Sequence, residues 1–503
     1  MALSLKDGKV LPFETALDQA GFGCYSYILT ALAGLITVSF MWISTSVSIV
    51  IPASACELET NSGQQGLMAA APVVGSVVGA VMWGYLADTR GRRKMLMLSL
   101  LLGATVNAIA SISVNWIMLM ILQFLATVMV AGQFAVSMTL LSESVPMAKR
   151  NVLVLLVTSI FMLSQGLMAA ISIPIIPLTF SYHLPALGIY WNSWRTVMLV
   201  YSIPCLVCLL WLFFMKESPK YVLVQGDEDS AIRILNHIYR INRRGKDLGI
   251  SGLIRPEGEE TSISTKKQIK PLFQMPLVKP VLILTTLLIF QLNGPFLIWL
   301  PRIANQFTSI LQSGDAADLT LCKIIDLSLN TPDDPDVVPC SLNETALMLV
   351  LIVGALQCGT NVFVSLVIDK VGRRNMVMIV TSVCGLSGIL VNLMPNAIAS
   401  GTFFVINLVG QITLGLYTAI AVSLVPTQLR AMAIALAITA DRLCSFASIQ
   451  ILNFLLENHC EVGFYVYSAI FASSALIAAL LPDDRIRKRK PEPLETNISI
   501  SKL

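Results

Sequence analysis

Charge is scarce in this chain. Of its 503 residues 13% are Asp, Glu, Lys or Arg, against 55% hydrophobic residues and a mean hydropathy of +0.75. A soluble chain carries roughly a quarter charged residues. The charge is missing in runs of about 20 apolar residues, each long enough to cross a bilayer. This reads as an integral membrane protein. Histidine is scarcer still: His183, His237 and His459 all fall outside the apolar runs, which speaks against a histidine proton relay. No CxxC pair or Cys/His spacing suggests a metal. No nucleotide loop and no catalytic triad appear, so neither an enzyme nor a cofactor is expected. Residues 1–23 carry Lys6, Asp7, Lys9, Glu14 and Asp18 without an apolar core, so they do not read as a signal peptide.

Twelve apolar spans are predicted, at about 24–52, 65–87, 95–114, 117–141, 152–176, 196–215, 279–300, 345–368, 376–395, 402–424, 431–453 and 463–481. Sorting the 34 Lys and Arg by alternate loops puts Arg195, Arg302 and Lys323 on one face, Arg442 inside a span, and the rest on the face holding both termini. The positive-inside rule makes that face cytosolic, in a plasma membrane or a vesicle.

The spans are organised around one charged turn, Gly84-Tyr85-Leu86-Ala87-Asp88-Thr89-Arg90-Gly91-Arg92-Arg93-Lys94. Gly91 permits the reversal while the cations stay in water. The signal recurs as Asp369-Lys370-Val371-Gly372-Arg373-Arg374. Pro146 to Arg150 follows the first copy, and Pro426 to Arg430 follows the second at matching distance. The chain is therefore two copies of one plan, offset by about 280 residues, as many transporters are. The expected architecture is an all-α polytopic membrane protein with twelve helices in two six-helix bundles, 24–215 and 279–481. A cytosolic tail, 1–23, precedes them. A cytosolic linker, 216–278, joins them, with a helix starting at Ser218-Pro219 and an apolar face of Ala231, Ile234, Leu235 and Ile238. It reads as a linker and not a domain. A basic tail, 482–503, ends the chain.

Smaller signals fill in this plan. The hydroxyls of the first span, Thr37 to Ser48, read as back-bonded to helix carbonyls. Gly75, Gly79 and Gly84 suit close helix packing. Trp191 and Trp194 read as an interface belt. Gln291-Leu292-Asn293-Gly294-Pro295 predicts a locally irregular seventh span. Cys56, Cys322, Cys340 and Cys460 lie on the oxidising face and allow three pairings. Cys322–Cys340 is expected, because both lie in one loop. Asn343-Glu344-Thr345 is a glycosylation sequon on that same face.

Depth can be counted from the cytosolic anchors, with the bilayer centre about ten residues in. Gln133, Gln291, Asn293, Gln357, Gln411, Asp441 and Arg442 all come to that level, from spans 4, 7, 8, 10 and 11. They are the candidate substrate-binding residues of a central cavity. The plain alternative for any one amide is an interhelical hydrogen bond, and for Asp441-Arg442 a structural charge pair. Adjacent helical residues point about 100° apart, so at most one of that pair faces the cavity squarely. Arg442 is expected there, with Asp441 orienting it or binding a cation, and an organic anion favoured as ligand.

Twelve spans, the doubled DxxGRR turn and the central cytosolic loop resemble the major facilitator superfamily. Within it, Met138-Thr139-Leu140-Leu141-Ser142-Glu143, Pro146…Arg150, Asn192-Ser193-Trp194-Arg195 and Glu217-Ser218-Pro219-Lys220-Tyr221 resemble the synaptic-vesicle glycoprotein 2 and SVOP-like branch, near the organic-ion and sugar transporters. The resemblance implies a rocker-switch carrier of a small molecule, with one central site. It also implies a cytosolic gate: Asp88 and Arg92 latched against helix 11, with Arg93, Glu143, Arg150 and Glu217 in one charge network, and Asp369, Arg373, Arg374 and Arg430 in the second copy. Three departures stand out. Phe40 and Ile43 occupy the places of helix-1 acids, Gln123 that of an arginine early in helix 4, and Ser423 that of the second-copy glutamate. The lost acids favour a second reading, a transporter fold that serves as a membrane receptor or vesicle component. A monomer in the lipid bilayer, with no nucleic-acid partner, is expected in either case.

Overall fold

A computed structural model describes residues 9–185, 188–243, 247–254, 274–275, 277–313, 318–330, 342–424 and 427–481. Eleven of its helical stretches are long and apolar enough to cross a membrane: Cys24–Ser54, Ser62–Arg90, Arg92–Ala110, Trp116–Ser144, Met147–Ser172, Ser193–Leu212, Val278–Gln312, Glu344–Ile368, Ala397–Ile420, Ala433–Asn458 and Cys460–Ala479. One more helix, Arg373–Leu390, is 18 residues long and packs along the last of these. It takes the ninth place, and the helices are counted below as spans 1 to 12.

The charged turns fold as their sequence requires. Gly91 and Gly372 both have positive φ, 104° and 89°, and each amide closes the helix before it, onto Ala87 O and Ile368 O. A side chain at Gly91 would meet Glu217 Oε2 at 2.7 Å. Gly75 and Gly79 let span 2 touch the backbone of span 4; a Cβ on Gly79 would lie 2.2 Å from Val128 O. Gly84 has no such neighbour and plays no part in this contact. The hydroxyls of Thr37, Ser39, Thr45 and Ser48 donate to carbonyls three or four residues back. Span 7 breaks between Ile289 and Asn293.

Three expectations are corrected. First, Cys322 bonds Cys460, with the Cα atoms 5.6 Å apart, and not Cys340. The short helix Leu321–Asn330 lays Cys322 against the start of span 12, a proximity that sequence distance hides. Cys56 is also disulfide-bonded, and Cys340 lies outside the described residues. Second, Trp194 is not a belt residue. It is 2% exposed, and its indole donates to Glu57 Oε2 at 2.7 Å. Third, the N-terminal segment and the linker fold together. The strand Lys9–Pro12 pairs in parallel with Ile250–Ile254. Phe13, Ala16 and Leu17 pack on Leu223, Ala231, Leu235 and Leu253. Asn242 fastens this small unit to span 1, accepting from Tyr25 N at 3.0 Å and donating to Gly21 O at 2.6 Å. Each segment alone lacks the apolar bulk for a core, and only their pairing supplies it.

Two outcomes follow. Non-reduced peptide mapping is expected to recover Cys322 linked to Cys460; a Cys322–Cys340 peptide would contradict the fold. Leu235→Asp would bury a charge in the cytosolic unit, a mutation class costing about 3 kcal/mol or more. Limited trypsin digestion is expected to cut at Arg240 and Arg243 much faster in this variant, while far-UV circular dichroism keeps the helical signal.

Candidate functional site

The apolar core differs between the two ends of the bundles; the end that holds the charged turns is called the cytosolic side and the other the outer side, after the sequence expectation. On the outer side a single cluster runs across both bundles, from Trp42, Ile49 and Met168 to Phe296, Trp299 and Phe464. Toward the cytosol it divides into two clusters, one confined to the first bundle and one to the second. The polar bonds follow the same division. On the outer side they cross between bundles. Asn453 Nδ2 donates to Ser62 O and Oγ, both at 2.8 Å. Arg302 reaches Gln65 Oε1 at 3.5 Å while pairing Glu457 at 2.8 Å. Gln165 Nε2 donates to Leu297 O at 2.9 Å. Deeper, Asn361 Nδ2 donates to Ser159 Oγ at 3.0 Å, and Gly166 backs directly onto Gly354. Among the described residues the crossing contacts are thus gathered toward the outer side. None of these crossing residues was singled out in the sequence as a gate; the available signal was an amide in an apolar helix.

Of the gate residues expected in the first copy, Asp88, Arg92, Arg93, Glu143 and Glu217 lie together around the charged turn. Arg92 lies 3.3 Å from Asp88 and 3.3 Å from Glu143, with its guanidinium 4.7 Å from the centre of the Tyr221 ring. Ser218 donates to Glu143 at 2.5 Å. Glu217 accepts from the Arg93 and Ser218 amides. Arg93 donates to Leu212 O and Phe213 O, so it caps the end of span 6, where carbonyls have no helical donor. Burial and the Glu217 charge push the Tyr221 phenol up, so it stays a neutral donor to Thr89 O. Arg150 pairs Glu14 at 3.1 Å instead of Glu143. Asp88 is 74% exposed, and among the described residues no bond joins this network to span 11.

The second copy repeats half of the pattern. Arg374 donates to Ala479 O and caps span 12 as Arg93 caps span 6. Arg373 reaches span 10 as Arg92 reaches span 4, but it bonds a backbone carbonyl, Ala419 O, at 2.9 Å. The side chains of Asp369 and Arg430 lie outside the described residues.

Four of the seven midplane candidates, Gln291, Asn293, Gln357 and Gln411, meet at one place. Span 10 tightens to a 3-10 turn at Gly410–Ile412, where hydrogen-bond geometry is poorer than in an α-helix. Gln357 donates to Leu408 O, Asn293 to Asn407 O and Gln291 to Gly410 O, at 2.9, 2.8 and 3.2 Å. Gln291 also reaches the Gln411 side chain at 3.3 Å and accepts from Thr413. These amides are buried and brace the turn, so the plain alternative of interhelical bonding describes them. Gln133 is fully buried inside the first bundle, near Cys205. Asn107 and Gln123 likewise form an internal chain, from Ser46 to Ser202 across spans 1, 4, 3 and 6.

Asp441 and Arg442 part company. Asp441 is 11% exposed by its side chain, on the helix face of Ala433, Ala437 and Ser448 that packs into its own bundle. Arg442 is 40% exposed, and its Nε lies 4.0 Å from Asp441. It shares a face with Gln450 and Asn453, the residues that approach Gly66 and Ser62 of span 2. Arg442 therefore points toward the facing bundle, at mid-depth, below the crossing contacts of the outer side. At the sequon Asn343, the side-chain Oδ1 accepts from Thr345 N, capping span 8, and Nδ2 donates to Gln312 at 2.9 Å.

Comparison with known proteins now decides the family. The profile of the Major Facilitator Superfamily matches residues 30–449. The chain belongs to the Major Facilitator Superfamily. Within it the chain falls in the synaptic-vesicle glycoprotein 2 and SVOP-like branch. It is 28% identical over 249 residues to human synaptic vesicle glycoprotein 2B, covering 49% of this chain but 36% of that protein. It is 22% identical to the synaptic vesicle 2-related protein of Xenopus laevis, over 96% of this chain and 84% of the relative. A putative transporter of Caenorhabditis elegans, svop-1, is 26% identical over 47% of this chain and 42% of its own length. The fold is similar to that of the xylose transporter XylE from E. coli in a partially occluded inward-open conformation, with a TM-score of 0.66 at 17% identity, over 91% of this chain and 100% of that one. Its inward-open form gives 0.65. This is a multi-pass membrane protein of a transporter family, and not an enzyme.

The two acids of the gate should behave unequally. Glu143 is 13% exposed and holds both Arg92 and Ser218. Glu143→Gln is expected to lower stability in detergent by about 1–3 kcal/mol. Asp88→Asn should cost less than about 1 kcal/mol, as an exposed pair does. Thermal unfolding of the two purified variants checks the order; equal losses would remove Glu143 from the centre of the network.

Proposed function

We propose that this protein is a secondary transporter of a small organic ion or polar solute, working by alternating access through one central site. The observation that carries the reading is Arg442: a half-exposed cation at the centre of a span, facing the opposite bundle. A charge placed there costs at least about 2.5–3.5 kcal/mol on insertion scales, and such residues mark function. Among the described residues its charged neighbour is Asp441, at the 4.0 Å limit of an ion pair. That leaves the guanidinium fork for a ligand, so an organic anion is favoured. Asp441, packed on the inner face, orients it. Gln411, half-buried in the 3-10 turn, is the other midplane candidate retained for the site.

Asp88 and the exposed side of the Arg92 network close the cytosolic face in the opposite state, with Asp369, Arg373, Arg374 and Arg430 as the second half of that gate. The protein is read as a monomer with both termini in the cytosol, in a plasma membrane or a vesicle. A non-transporting role as a receptor or vesicle component is the second reading. Phe40 and Ile43, in the places of helix-1 acids, favour it.

Uptake by oocytes expressing the protein, screened across labelled organic anions, cations and sugars, tests the proposal. Arg442→Gln is expected to abolish uptake at normal surface expression, and Asp441→Asn to shift ion preference. Normal transport by both variants would reduce the pair to scaffolding and overturn the central-site reading.

A further inference from the structure

Span 7 contains Pro301 inside its outer half. A proline has no N–H, so the carbonyl four residues earlier, Leu297 O, loses its helical donor. Leu297 is 8% exposed and lies at membrane depth, where water cannot serve the orphaned oxygen. The donor comes from the other bundle: Gln165 of span 5, itself 8% exposed, gives its Nε2–H to Leu297 O at 2.9 Å. The surrounding contacts fix this reach. Trp42 Nε1 donates to Ser164 O, one residue away, at 3.0 Å. Gly166, on the other side, presses on Leu351 and Gly354 of span 8, where an added Cβ would meet Leu351 O at 3.1 Å. Span 5 is thus held with its amide aimed at the carbonyl of span 7 that Pro301 leaves without a helical donor.

We infer that Gln165 and the Pro301-orphaned carbonyl of Leu297 form an outer clasp that sets the balance between the outward-shut and outward-open states. The clasp rests on the alternating-access reading but not on the identity of any substrate. The bond crosses between bundles, so it exists only while the outer side is shut. When the bundles part, the carbonyl is exposed to the opening and water takes the place of the amide. An ordinary interhelical bond would not have this property, because a carbonyl already served by its own helix loses little when a second donor leaves. The proline therefore makes the bond matter, and the glutamine makes it specific to one state.

The test measures distance across the outer face in the full-length purified protein, by double electron–electron resonance. Spin labels are placed at Val114→Cys and Ile398→Cys, exposed positions at the outer ends of the two bundles, after replacement of the free cysteines Cys24, Cys205, Cys208, Cys358, Cys384 and Cys444. Gln165→Leu is expected to raise the ratio of long to short distances about five- to tenfold, the loss of one buried hydrogen bond. Gln165→Glu, which cannot donate when ionised, should move it at least as far without touching Pro301. In a Pro301→Ala background, where residue 301 serves Leu297 O itself, Gln165→Leu should move the ratio less than about twofold. Equal shifts with and without Pro301 would overturn the clasp. Asn453→Ala, which cuts a different crossing bond, separates the two readings. If it moves the distances and the Gln165 variants do not, alternating access stands and the clasp falls. If no variant moves them, both fall.

Discussion

The constraint on which this structure depends is the absence of water at membrane depth. Every backbone oxygen that a helix fails to serve must be served by another part of the protein. The chain interrupts its helices in several places, and side chains meet four of these interruptions. The 3-10 turn of span 10 is met by Gln291, Asn293 and Gln357. The proline of span 7 is met by Gln165. The ends of spans 6 and 12 are met by Arg93 and Arg374. Polar residues in an apolar span are thus of two kinds. Some repair the backbone, and a few, with Arg442 foremost, have no backbone to repair.

That division explains what the sequence could and could not disclose. Span number, the doubled turn, the positive φ at Gly91 and Gly372, the Ser218 cap and the broken seventh span were all legible, because each follows from local chemistry. Depth along a helix was legible too. Direction around the helix was not. Counting residues from an anchor put Gln291, Asn293 and Gln357 at one level, and they do meet at that level, but around the backbone of span 10. Rotation about the axis depends on which neighbour a helix packs against, and that is a tertiary fact. The same limit hid the Cys322–Cys460 bond, whose partners are 138 residues apart, and the pairing of Lys9–Pro12 with Ile250–Ile254. At Asp441-Arg442 the 100° between neighbours carried directional information, and the two side chains differ in burial, 11% against 40% exposed.

The two halves solve the same problem with unequal means. In the first, the turn arginine finds a carboxylate, Glu143, which a serine and the linker helix then lock in place. In the second, Ser423 stands where that acid would be, and Arg373 settles on a backbone carbonyl. A guanidinium on a carboxylate is held more tightly than one on a neutral oxygen. The first bundle is further braced by the cytosolic unit, through Asn242, Asp18 and Glu14, each bonded to span 1 or to the start of span 5. Among the described residues the first half therefore carries the more side-chain bracing around its charged turn.

Bracing on one side bears on how the molecule moves. A rocking motion needs one body to hold its shape while bonds at the interface exchange. The described crossing bonds lie in the outer and middle layers, and they are few, neutral or half-exposed: two amides on oxygens of the facing bundle, an amide on a hydroxyl and an arginine reaching a glutamine at 3.5 Å. Each is worth about 1 kcal/mol or so, and together they are small enough for ligand binding to offset. The charge-assisted bonds described at the Arg92 turn, by contrast, join elements of the first half to one another. On the alternating-access proposal, the crossing bonds would choose between states and the bonds within the first half would keep a body rigid, and a carrier needs both kinds, whatever it carries.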